Sequence, residues 1–485
     1  MHDRPFSSLA IADTRLSVLD DCTPMAPPDP GAATLFMQSS VVLQAGQLEA
    51  AEALLRDALQ LAPHLAEAHA NLAWLLERRG LPEDALQHYA MASELQPGNA
   101  RIQVNFGAFL AGRQFHNAAE VAYRLALLAD PAMPGAWCNL GALQAQTFRD
   151  QDAEQSLRTA LQLDARHVAA HVNLAFLLLR LGRFHEGWQH LEWRDWYRAI
   201  ETRLDCPRWQ GQPLAGCPVL LVYEAGHGDM IQFCRYLPLV RSRGASRVDV
   251  LCHPALKVLL QSLDGVGEVI GLDQEASGRT WHYWVPLLSL PCHFGTRLDT
   301  IVANIPYLQA PADRFDHWRA ELLRVCPGPV LRVGLVWQGN ADFENDAHRS
   351  LPDLGILAPL WAVVGVQFFS LQKGPGQRDV LRHQASQPLL DLADGLQDFA
   401  DTAAVIGQLD LVISVDTAVA HLAGALGKPC WVLLPAVMTD WRWLEQRTDS
   451  PWYPEVLRLF RQPRQVGWAP VIEQLRVALT SEVNA

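Results

Sequence analysis

The sequence predicts an α-helical repeat solenoid followed by two successive α/β units. A period of 34 residues runs through the first two fifths of the chain. From about Leu204 that period disappears, and short apolar runs alternate with helical segments, the pattern of a mostly parallel sheet. A break rich in proline and cysteine, Val325-Cys-Pro-Gly-Pro-Val330, then divides this second texture in two. The expected domains are 32–200, 204–326 and 327–485. Residues 1–31, with their Asp-Asp-Cys-Thr-Pro and Pro-Pro-Asp-Pro-Gly runs, read as a flexible lead-in.

Small residues set the phase of the repeat: Ala51, Ala85, Ala119, Ala153 and Gly187 in one series, and Ala58, Ala92, Ala126 and Ala160 in another. Pro63, Pro97 and Pro131 end the second helix of each unit in the same frame. Leu72/Ala73, Phe106/Gly107, Leu140/Gly141 and Leu174/Ala175 set a large residue beside a small one on the first helix, while Leu55, Tyr89, Tyr123, Leu157 and Leu191 fill the matching place on the second. Small residues let antiparallel helices approach, and large ones fill the space between them. This pattern resembles the tetratricopeptide repeat, which implies a stack with a concave face lined by the first helices.

Asn71, Asn105, Asn139 and Asn173 follow the same period. An amide can pair with both groups of a passing peptide bond, so the series is a candidate groove for a peptide or protein acceptor; the alternative is that each Asn bonds within its own repeat. The series is similar to the asparagine ladder of the O-linked N-acetylglucosamine transferases.

In the second region, strands are expected at 218–223, 247–252, 268–272 and 283–287, then at 331–337, 367–371, 389–392, 411–414, 430–434 and 456–460. A helix over 417–426 should stop at Gly427.

Composition narrows the partners. The 485 residues carry a formal charge of −13, with 49% hydrophobic and 19% charged residues, which fits a globular chain. Without a run of Lys or Arg there is no footprint for nucleic acid. The most apolar long stretch, 409–435, contains Asp410, Asp416, His421 and Lys428, so no membrane span is expected. Nine cysteines without CxxC spacing, and no HExxH, suggest a reduced cytoplasmic protein without a metal site or other cofactor. Only three of the 39 basic residues are lysines: Lys257, Lys373 and Lys428.

The richest stretch for chemistry is SVDTAVAHLAGALGKPCWVLLP, 414–435. A buried strand delivers Ser414, Asp416 and Thr417 to the start of a small-residue helix whose free N–H groups favour an anion such as a diphosphate, with Ala418 at its first turn and His421 one turn on. Equally, Asp416 could cap the helix and His421 could pack inside. Lys373, after another strand, and Arg349, in the polar loop 342–350, are the cations in reach of such an anion. Lys428 reads as a turn residue. Trp337, Trp441, Trp443 and the WHYW cluster at 281–284 read as packing residues rather than as sugar platforms.

This stretch resembles the nucleotide-sugar motif of the heptosyltransferase-like (family 9) glycosyltransferases. The similarity continues through VGLVWQGN (333–340), HRSLP (348–352), FFSLQKGP (368–375), DFADTAAVIGQLD (398–410), DWRWL (440–444) and SPWYP (450–454). It implies a glycosyltransferase-B fold of two Rossmann-like domains that moves a sugar from a nucleotide-diphosphate donor, with inversion and without a metal. In this light Gly226-His-Gly-Asp229 resembles the acceptor-side loop of the family, which implies Asp229 as general base, with His227 as the runner-up. A tight turn in which Asp229 caps the next helix is the plain alternative. Two other functions stay open: an interaction scaffold whose sugar-nucleotide domain is inactive or senses a ligand, and transfer to a lipopolysaccharide-type glycolipid.

Overall fold

The computed structural model describes residues 29–484, apart from 275–278, 344, 375, 384–387 and 465. Most of the expected lead-in, 1–28, lies outside the described residues. At its end Asp29 accepts from the N–H groups of Gly31 and Ala32, so the first helix begins at Pro30, two residues before the expected boundary. The chain forms two compact units, divided between Leu177 and Leu178.

The first unit is a stack of helical hairpins: α1 (Pro30–Gln44) with α2 (Leu48–Leu61), α3 (Ala66–Arg78) with α4 (Pro82–Leu95), α5 (Ala100–Gly112) with α6 (His116–Ala129), and α7 (Pro134–Gln146) with α8 (Asp150–Leu163). The division between the units falls inside α9 (Val168–Arg180), which the short α10 (Phe184–Leu191) follows. Ala51, Ala85, Ala119 and Ala153 are fully buried, as close helix approach demands. The same reasoning yields a paired prediction. A Cβ on Gly107 would lie 2.6 Å from the Tyr123 ring, whereas one on Gly112 of the same helix meets nothing within 4 Å. Gly107→Ala should therefore cost about 1–3 kcal/mol by overpacking. Gly112→Ala should add about 0.5–1 kcal/mol by restricting the unfolded chain. Urea unfolding midpoints should move in opposite directions, and equal shifts would contradict this account of the small-residue series.

A second periodic feature holds the turns between hairpins. In successive repeats a side-chain nitrogen in the next first helix faces the carbonyl six residues earlier: His69 Nε2 to Pro63 O at 3.0 Å, Gln103 Nε2 to Pro97 O at 3.3 Å, Trp137 Nε1 to Pro131 O at 2.9 Å and His171 Nε2 to Ala165 O at 3.1 Å. Three side-chain types perform one task, so residue identity alone conceals the series.

The second unit contains two parallel sheets. The first has order β3-β2-β1-β4, from β1 (Val219–Val222), β2 (Val248–Cys252), β3 (Val269–Gly271) and β4 (Tyr283–Pro286). The second has order β10-β9-β8-β5-β6-β7, from β5 (Leu331–Val336), β6 (Val366–Ser370), β7 (Leu389–Asp391), β8 (Leu411–Val415), β9 (Cys430–Leu434) and β10 (Leu457–Arg461). Counted from β5, this is the 3-2-1-4-5-6 order of doubly wound sheets, and the first sheet keeps the 3-2-1-4 portion of it. In both, the order reverses beside the first strand, and ligands of such sheets bind outside the carboxyl ends there. The strands lie close to their expected positions because parallel strands, buried on both faces, read as continuous apolar runs.

Four further helices matter below: α11 (His227–Phe233), α12 (Ala312–Val325), α13 (Phe399–Gly407) and α14 (Ala418–Ala425). Here the expected division at 326/327 is corrected. Although α12 precedes the Cys-Pro-Gly-Pro break, it packs on α13: Arg314 Nη1 and Trp318 Nε1 both donate to Asp401 Oδ1, at 3.0 and 3.1 Å. The break bends the chain from α12 into β5 and is not a domain boundary.

Candidate functional site

The loops after β1 and β8 meet. After β1 the chain turns through Gly226, whose N–H donates to Asp229 Oδ2 at 2.9 Å, so Asp229 does cap the start of α11. Gly228 in that turn must lack a side chain, because a Cβ there would come within 2.8 Å of the His421 ring. Its backbone thus packs directly on α14.

After β8, Ser414 Oγ donates to Val415 O at 2.7 Å and lies 2.9 Å from Thr417 Oγ1, which fastens the turn into α14. Thr417, not Asp416, is the N-cap residue, and its side chain makes no capping hydrogen bond. The first N–H groups of α14, from Ala418 on, therefore keep the character of an anion site. His421 does not share it. It is buried, with Nδ1 at 3.0 Å from the Tyr453 hydroxyl and its ring stacked on Trp443. Burial, reinforced by the charges of Arg442 and Arg235, holds its pKa well below the usual range, so it is a neutral packing residue.

Charge concentrates on Arg442, in the turn after β9. Its Nη1 donates to Asp440 Oδ2 at 2.7 Å and its Nη2 pairs with Asp229 Oδ1, so one guanidinium bridges the two sheets' loops. Asp440 also accepts from the Arg442 N–H at 3.0 Å, a short turn that puts both side chains on the same side. Burial pushes the Asp440 carboxyl up to about 7 against the pull of Arg442, with Asp416 and Asp229 adding repulsion. Burial raises Asp416 too, opposed most by Arg349 and then by Trp443 and Arg442. The Trp443 Nε1, without a hydrogen-bond partner among the described residues, lies near enough to favour the charged form of Asp416. Asp229, Asp416, Asp440, Arg349 and Arg442 therefore form a single electrostatic cluster.

Arg349 acts on this cluster too, with Nε donating to Asp346 Oδ1 at 3.1 Å and its guanidinium 4.2 Å over the Phe343 ring. Lys373 is corrected. Its Nζ donates to Ala393 O at 2.8 Å and Leu396 O at 2.9 Å, so the ammonium ties the loop after β6 to a neighbouring turn. His227 stacks on Phe399 at 5.4 Å and lies 4.5 Å from the His253 ring, beside Asp229 in sequence but in an aromatic cluster. The tryptophans Trp337, Trp441 and Trp443 are buried packing residues, as expected.

The asparagine series is also corrected. Asn71, Asn105, Asn139 and Asn173 are 2%, 1%, 0% and 1% exposed, so none presents an amide at an open groove. Asn173 Nδ2 lies 3.5 Å from Cys138 Sγ, and both amide atoms of Asn71 are buried without a hydrogen-bond partner among the described residues.

Asp440, Arg442 and Arg235 carry much of the site yet lie outside the expected residues. For Arg442 the available signal is the Asp-x-Arg spacing within DWRW. Arg235 has no local signal: buried, it donates to Val302 O at 2.9 Å, Trp452 O at 2.6 Å and the Tyr307 hydroxyl at 2.9 Å, which joins segments far apart in sequence.

Residues 42–104 match the tetratricopeptide repeat family. They are a tetratricopeptide repeat region. A curated relative, Protein FlbA of Caulobacter vibrioides, is 27% identical over 336 residues, covering 63% of this chain, more than the tetratricopeptide hairpins occupy. The match spans 54% of that relative, about half its length. Similar solved structures include PilF of Pseudomonas aeruginosa (23% identity, 36% of this chain and 86% of that chain, TM-score 0.32). MamA of Desulfovibrio magneticus RS-1 is another (19% identity, 36% and 98%, TM-score 0.32). Tetratricopeptide repeats commonly bind peptides or proteins. Among the described residues no helix is long and apolar enough to cross a membrane.

Proposed function

We propose that the α/β unit, as a glycosyltransferase-B pair of sheets, transfers a sugar with inversion from a nucleoside diphosphate sugar to a hydroxyl of a protein engaged by the repeats. One juxtaposition supports this reading: Arg442 joins Asp229, after the first strand of one sheet, to Asp440, after β9 of the other. The acceptor oxygen bonds to the anomeric carbon as the bond from that carbon to the diphosphate oxygen breaks. The electron pair leaves with the diphosphate, and the acceptor proton passes to the Asp229 carboxylate. Arg349, Arg442 and the uncapped start of α14 offset the charge on the leaving group. With the asparagines buried, the acceptor must engage another surface of the repeats.

Thermal melts of the full chain with UDP-, GDP-, ADP- and dTDP-sugars test this, since a ligand bound to the native state raises its stability. One donor class should raise the midpoint and slowly release its nucleoside diphosphate. A flat response across the panel, with no release, would refute the reading. The second reading, an interaction scaffold, would then stand on the tetratricopeptide region alone.

A further inference from the structure

Both outer nitrogens of Arg442 are committed to carboxylates, and its buried Nε has no hydrogen-bond partner among the described residues. One guanidinium thus serves two carboxylates, Asp229 and Asp440. A diphosphate at the start of α14 would add negative charge to this group, so its binding favours a guanidinium that can change partner. The two partners of Arg442 differ in how easily they let it go. The Asp440 side chain is 4% exposed and would be stranded in the interior. Asp229 is 16% exposed and keeps the Gly226 N–H when the guanidinium leaves.

We propose that Arg442 switches partner, from Asp229 to the donor diphosphate, so that filling the donor site frees the Asp229 carboxylate to take the acceptor's proton. This rests on the diphosphate reading above and adds an order to it: the base stays masked until the donor is present. Asp229 thereby competes with the diphosphate for one guanidinium, and removing its charge should strengthen diphosphate binding.

Calorimetric titration of the full chain with inorganic pyrophosphate, UDP and GDP reads this competition. Asp229→Asn should bind pyrophosphate about tenfold more tightly than the parent, the scale of one charge-assisted hydrogen bond. Arg442→Met should bind it about tenfold more weakly. In the Arg442→Met background, Asp229→Asn should add nothing. Equal tightening in both backgrounds would mean simple repulsion through space and would overturn the switch, as would no tightening at all. If Arg442→Met does not fold, Arg442→Lys replaces it, because an ammonium cannot hold two carboxylates as a fork does; tightening undiminished there overturns the proposal. If the parent chain binds none of the three probes, the donor reading falls and the switch with it. If it binds them indifferently to Asp229, the switch alone falls.

Discussion

On the proposed transfer reading, Asp229→Asn is expected to lower sugar transfer by about 10²–10⁴-fold, the usual contribution of a positioned general base, while donor binding survives. The substitution isolates the charge. Asparagine keeps an oxygen that can accept from Gly226 N–H, so the turn into α11 is retained, but an amide cannot take the acceptor's proton. The close approach of Gly228 to the His421 ring does not involve the Asp229 side chain and is kept in the variant. Release of nucleoside diphosphate from the donor that shifts the melting midpoint, with and without acceptor, measures the effect. Activity within a few-fold of the parent would remove Asp229 from the chemistry and leave His227 as the base to examine.

Arg194→Met should destabilise the α/β unit by about 3–5 kcal/mol, the largest effect expected for a residue outside the candidate site. Arg194 follows α10 and is fully buried in side chain. Its Nε and Nη2 grip both Glu224 oxygens at 2.8 and 2.9 Å, Nη1 reaches Glu192 Oε1 at 2.9 Å, and Nη2 also reaches Ser289 Oγ at 2.9 Å. Glu224 is itself committed to the Leu288 N–H at 2.8 Å and cannot swing out to water. Loss of the arginine leaves that carboxylate buried beside an apolar side chain, and the desolvation cost is then felt in full. In the double variant Arg194→Met/Glu224→Gln much of the loss should return, because position 224 no longer holds an unpaired buried charge and Glu192 keeps its pair with Arg208. Urea unfolding of both variants measures the difference. If the double variant is no better than the single one, packing around the guanidinium, not its charge, is what matters.

Different regions of the molecule were legible in the chain to different degrees. A repeated contact leaves a repeated residue, so Ala51, Ala85, Ala119 and Ala153 announce the hairpins directly. Gly427, at φ +69°, ends α14 where the Gly-Lys-Pro step predicts. The carbonyl contacts of His69, Gln103, Trp137 and His171 are as regular in space, yet the residue types differ and the pattern stays hidden. Periodicity also locates the four asparagines without telling which way they face. Burial of an amide depends on what packs over the helix, and a window of sequence does not contain that.

The same limit governs the cations. Lys373 looked apt because lysine is rare in this chain and follows a strand, but its partners are carbonyls 20 and 23 residues away. Arg442 is one of many arginines, and its decisive partner, Asp229, is 213 residues distant. By itself the sequence determined the local order of the protein, since helices, strands and their ends follow from periodicity, apolar runs and turn chemistry within short windows. Only the tertiary structure decided which charges meet. An ion pair across two sheets depends on long-range chain return and on removal of water from between the groups, and no local pattern encodes either.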